Sequence, residues 1–106
     1  MSYRFMRVIL FFDLPTTTAK HIKAYNRFLK HIKREGFVMM QESVYVKLAI
    51  TQAKADALIN RVEKEVPKEG LIDVLIITEK QFAGIITLLG ERETNVITTD
   101  ERLIEL

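Results

Sequence analysis

The run Val8-Ile9-Leu10-Phe11-Phe12 is unbroken and apolar, and it ends in one carboxylate, Asp13, with Pro15 two places on. A short apolar run closed by turn chemistry reads as a strand buried on both faces. Such a strand belongs in the middle of a sheet, so the rest of the chain has to pack around it. The carboxylate then stands at the carboxyl end of that strand, where open α/β sheets tend to gather ligands and metals. The structural alternative is a turn Asp, whose side chain bonds the backbone of the Pro-containing turn.

The remaining elements follow in order. Residues 3–12 are expected as the first strand, with Arg4 and Arg7 near its exposed start. Thr16, Thr17 and Thr18 offer N-caps for a helix from about Ala19 to Glu35, stopped at Gly36. At 100° per residue Ile22, Tyr25, Phe28, Leu29 and Ile32 share one side of it. Phe37–Met40 and Ser43–Ile50 read as strands separated by Gln41-Glu42, either a hairpin or one bulged strand. In the second, Val44, Val46 and Leu48 alternate with Ser43, Tyr45 and Lys47, a half-buried pattern. Thr51 caps a second helix with an apolar stripe of Ala55, Leu58, Ile59, Val62 and Val66, ended by Pro67 and Gly70. Leu71–Thr78 reads as another buried strand.

The order β-α-β-β-α-β is the ferredoxin-like arrangement, an α+β fold with an antiparallel four-stranded sheet and both helices on one face. The chain divides into a core over 1–78 and an extension over 79–106 within one domain. In the extension a short helix within the mixed polar–apolar segment Glu79–Gly90 and a strand at Asn95–Thr98 are expected. The second sheet face has no cover in this reading, so a second copy is expected to meet it. The acidic, finally apolar tail Asp100–Leu106 suits strand addition to another chain.

Composition narrows the chemistry. The 106 residues contain no cysteine and only two histidines, which argues against disulfides and a His/Cys zinc site. No apolar run reaches the roughly 18 residues of a membrane span, and no signal peptide is visible. A soluble, cytoplasmic protein is therefore expected. Residues 1–50 carry nine Lys/Arg against three Asp/Glu, whereas 51–106 carry seven against eleven. A polarised chain of this kind points to a polyanion on one face.

Lys20, Lys23, Arg27, Lys30 and Arg34 gather on the first helix, opposite its apolar side. A like-charged face is commonly just solvated, but soluble surfaces normally mix signs. Between Asp13 and Glu42 the single acid is Glu35. These five residues are the expected nucleic-acid contacts, of the phosphate-binding kind that gives affinity without sequence reading. Asp13 is the candidate metal ligand. One Asp per chain is too few for most nucleases, but a two-fold axis at the strand end would let two copies share a hydrated Mg²⁺. His21 and His31 are read as surface helix residues without an evident carboxylate partner in sequence. Ser43 lacks a nucleophile-elbow context, Tyr45 is read as packing, and the four glycines form no phosphate loop.

The stretch from Val8 to Pro15, then Gly36-Phe37 and Gln41-Glu42-Ser43-Val44-Tyr45, resembles the second core CRISPR-associated family, "Cas two". Thr78-Glu79-Lys80-Gln81-Phe82 and the ending Asp100–Leu106 are similar to the branch that accompanies type II systems. The resemblance implies a ferredoxin-like homodimer at the centre of the spacer-acquisition integrase, flanked by dimers of the CRISPR integrase subunit that performs strand transfer. It implies double-stranded DNA held across the dimer, and a C-terminal segment reaching toward the partner and the integrase subunit. It also implies, as the alternative, Mg²⁺-dependent endonuclease activity on single-stranded RNA or double-stranded DNA, with Asp13 as catalytic and metal-binding residue. A third reading, an RNA-binding ferredoxin-like module, lacks the glycine–aromatic signature that stacking on a strand surface requires.

Overall fold

The computed structural model describes residues 5–92. β1 (Met6–Asp13), α1 (Ala19–Arg34), β2 (Val38–Gln41), β3 (Val44–Ala49), α2 (Gln52–Glu63), β4 (Leu71–Thr78) and α3 (Glu79–Ala83) follow one another along the chain. The sheet order is β2-β3-β1-β4 and every neighbouring pair is antiparallel. This is the expected ferredoxin-like α+β fold, with β1 at its centre beside β3 and β4. The expected strand at 95–98 and the acidic tail lie outside the described residues, as does Arg4.

Alternation along β1 divides its side chains between two layers. Val8, Leu10 and Phe12 turn toward α1 and α2 and join Phe28, Ile32, Tyr45, Leu58 and Val62 in the main core. Phe12 is its pivot: it meets Phe28 edge-on at 5.4 Å and stacks on Tyr45 at 5.7 Å. Each such buried aromatic or aliphatic side chain contributes roughly 1.5–3 kcal/mol by leaving water. Ile9 turns the other way and packs with Met40, Val46 and Phe82.

Several expectations are corrected. Arg7 is not exposed; it is buried on the second face, where Glu79 meets it. That face is not bare, because α3 folds back on it and seats Phe82 there. β4 is an edge strand, and Leu71 and Leu75 stand exposed although the sequence reads as a buried strand. β3 is buried on both faces, since Tyr45 enters one layer and Val46 the other. Ile22 lies on the flank of the apolar arc of α1 and is exposed.

Element ends follow local chemistry. Thr18 and Thr51 each accept a hydrogen bond from the backbone N–H three residues on, capping α1 and α2. Gly36, with φ +98°, closes α1 in the left-handed region. The Glu42-Ser43 turn resolves the β2–β3 pair as a hairpin, with an irregularity between Met39 and Gln41. α2 stops at Glu63, short of Pro67, because Pro67 has no N–H to donate to the Glu63 carbonyl and cannot extend the helix; Val66 lies outside the stripe and is exposed.

Candidate nucleic-acid interface

α1 is fixed on the sheet by its inner face. Phe28 and Ile32 are fully buried, with Tyr25 and Leu29 packed beside them. A helix held this way must turn the opposite side outward. Lys20, Lys23, Arg27, Lys30 and Arg34 are all exposed there, as expected, and Lys33 joins them. No acid stands in the first turn, so Lys20 adds to the positive end of the helix dipole instead of offsetting it. Glu35 does not neutralise the stripe's far end freely, because its Oε1 accepts from Arg61 Nε of α2 at 2.9 Å. The exposed side of α1 therefore carries a sustained run of positive charge with little acid to offset it.

Both histidines have a carboxylate within 4 Å. His21 Nδ1 lies 3.2 Å from Thr17 Oγ1, and its Nε2 lies 3.2 Å from Glu69 Oε1. His31 Nε2 is buried without a hydrogen bond, with Glu35 Oε2 at 3.9 Å. The Glu69 contact joins residues 48 apart and could not be read from the chain. Glu35 stands four places after His31, one helical turn on, and that signal was legible.

Asp13 is the last residue of β1 and is exposed. By alternation it shares the second face with Ile9 and Phe11. Its side chain makes no hydrogen bond or ion pair among the described residues, so the turn-bonding alternative finds no support. Pairing of Phe11 with Asp73 and of Asp13 with Leu71 makes Asp73 a diagonal neighbour of Asp13 on the same face. Asp73 was missed in the sequence, although a lone charge inside the run Leu71–Ile77 is itself a sign of an open position. α3 covers the Arg7 end of this face, and Phe11 near Asp13 remains 39% exposed.

Among the described residues no group of three or more His, Asp or Glu gathers as a metal cluster. Mg²⁺ binds through as few as one or two carboxylates and keeps its waters. The donor set of one chain, Asp13 with Asp73 beside it, is therefore chemically suited to Mg²⁺ but sparse. Among the described residues no helix is long and apolar enough to cross a membrane.

Comparison with known proteins decides the family. The family described as CRISPR associated protein Cas2 matches residues 6–85. The chain belongs to the Cas2 family. It is 45% identical to the CRISPR-associated endoribonuclease Cas2 of Treponema denticola, over 95% of this chain and all of that protein. It is 48% identical to the protein of the same name from Streptococcus mutans serotype c, over 95% of this chain and 93% of that one. A solved structure, "Crystal structure of cas2", superposes with a TM-score of 0.59 over 85% of this chain and 92% of its own, at 21% identity. That likeness agrees with the Cas2 fold seen here.

Proposed function

We propose that this Cas2-family protein is a homodimeric DNA-binding scaffold of the CRISPR spacer-acquisition integrase. The observation that carries this reading is the exposed row Lys20, Lys23, Arg27, Lys30 and Arg34 on α1. Phosphate contacts from such a row hold a duplex without reading its sequence. The second copy is taken to sit on the open end of the second sheet face, where Phe11 and Leu75 are exposed. Ile86, Leu88 and Leu89 are more exposed still, which supports a role for the extension over 79–106 in contacts with the partner and the integrase subunit. The decisive experiment is duplex binding by Lys23→Glu/Arg27→Glu/Lys30→Glu, measured across salt. Affinity should fall, and the slope of log K against log salt should shrink by roughly 0.9 per lost phosphate contact. Unchanged affinity and slope would overturn the reading.

A second reading rests on Asp13, exposed and unpaired among the described residues at the end of β1. Close relatives carry the name endoribonuclease. Asp13 of each protomer would hold Mg²⁺, which when bound lowers the pKa of a coordinated water and offsets charge on a phosphate. Asp13→Asn should then remove Mg²⁺-dependent cleavage of single-stranded RNA or double-stranded DNA.

A further inference from the structure

A groove of about 660 Å³ runs between α1 and the segment linking α2 to β4. It falls within the range of small-ligand sites, roughly 300–1,000 Å³. Lys20, Lys23 and Arg27 line one wall, and Lys64 and Lys68 line the other. The α1 row accounts for the first wall only; the second is brought up by the fold. Between two cationic walls the fields add, and a cleft focuses them. The rest of the lining has a different character. Leu14, Pro15, Val66 and Pro67 are apolar, and Tyr25 adds an aromatic ring held by an edge contact with Phe12 at 6.4 Å. Two carboxylates also line the groove, Glu65 and Glu69. Glu69 lies 3.2 Å from His21 Nε2, a contact that ties the second wall to the first. The Glu65 side chain makes no hydrogen bond or ion pair among the described residues, so it is open to accept one from a ligand.

A ligand suited to this lining has a compact polyanionic half and a flat, largely apolar half. Lysine and arginine on both sides make charge-assisted hydrogen bonds to phosphate oxygens. An aromatic ring offers a base its face, and a carboxylate accepts from the hydroxyls of a ribose. We propose that this groove binds a free nucleoside polyphosphate, and that the bound nucleotide competes with duplex DNA for α1. Competition follows because Lys20, Lys23 and Arg27 belong both to the groove and to the outer row. Two polyanions cannot use the same three cations at once, so each lowers the apparent affinity of the other. The binding site stands on the groove alone; the competition rests on the duplex-binding reading above and makes nucleotide supply a regulator of that surface.

The test uses ATP and inorganic triphosphate as separate probes, titrated calorimetrically into the full chain in EDTA at constant ionic strength. ATP should bind severalfold more tightly than triphosphate. Lys64→Glu/Lys68→Glu should weaken ATP by about tenfold or more, since two charge-assisted contacts are reversed. Lys30→Glu, outside the groove, should leave ATP affinity unchanged while weakening the duplex. Tyr25→Leu should bring ATP down to the level of triphosphate. In a second measurement, ATP should release a fluorescent blunt duplex over its own binding range, followed by anisotropy, whereas sodium chloride of equal ionic strength should not. Circular dichroism checks that each variant is folded. No binding of ATP, or ATP affinity that survives Lys64→Glu/Lys68→Glu, overturns the proposal. Triphosphate binding as tightly as ATP overturns its assignment to a nucleotide. A duplex that stays bound at saturating ATP overturns the competition. If the unmodified protein holds no duplex, yet binds ATP and loses it in Lys64→Glu/Lys68→Glu, the scaffold reading fails and the nucleotide site stands.

Discussion

The Arg7 guanidinium grips the Glu79 carboxylate with two hydrogen bonds, Nε to Oε1 at 2.6 Å and Nη2 to Oε2 at 3.0 Å, across 72 residues of chain. Both residues are buried, and the guanidinium carbon also lies 4.3 Å from the centre of the Phe82 ring. Three further bonds place α3: Glu79 N–H donates to the Phe5 carbonyl, and Thr78 and Gln81 cap each other reciprocally. The pair thus anchors the start of the extension to the sheet face that the core helices leave open.

Removing Glu79 takes away the carboxylate that accepts both of these hydrogen bonds from the buried Arg7 guanidinium. Glu79→Ala should cost about 3–5 kcal/mol in denaturant unfolding. The double change Arg7→Met/Glu79→Leu should recover most of that loss, because it removes both charges together. Equal destabilisation by the single and double variants would show that packing, not charge, dominates.

Asp13 should behave differently. It is exposed and has no partner among the described residues, so Asp13→Asn should leave stability within about 0.5 kcal/mol. Any large loss of Mg²⁺-dependent cleavage in that variant then reports chemistry rather than unfolding. Thermal unfolding of the two proteins side by side checks this.

Gly70 controls how the Asp13 end of β1 is presented. Its φ is +110°, and a Cβ there would lie 2.6 Å from Leu14 Cδ2 and 2.9 Å from the Asp13 carbonyl oxygen. Gly70→Ala should destabilise by roughly 1–3 kcal/mol through backbone strain, with the clash adding to it. Slower amide exchange at Leu71 than in the unmodified protein would contradict this.

Tyr45 gives an alkaline signature. Burial first, and then the neighbouring Tyr25, push its hydroxyl above the ordinary value of 10.0. The unfolded chain therefore releases this proton at lower pH than the folded one. The contribution is full below pH 10 and is lost as pH rises through the higher folded value. Tyr45→Phe should flatten part of that alkaline decline in a pH series of urea unfolding.

Periodicity and capping carried the fold. The apolar run of β1, Thr18 and Thr51 before their helices, and Gly36 after α1 are local signals whose physics acts within a few residues, and they define the β-α-β-β-α-β order from the sequence alone. The exposed α1 row was legible for the same reason, since one helical period separates the side that packs from the side that does not. Other features depend on partners far along the chain. Arg7 looked like a surface residue until Glu79 and Phe82 arrived, Leu75 looked buried until β4 fell at the sheet edge, and His21 lacked a carboxylate until the α2–β4 segment brought Glu69 to it. Burial and ion pairing are properties of a neighbourhood. Chain order names the candidates for that neighbourhood, and tertiary packing alone decides which of them meet.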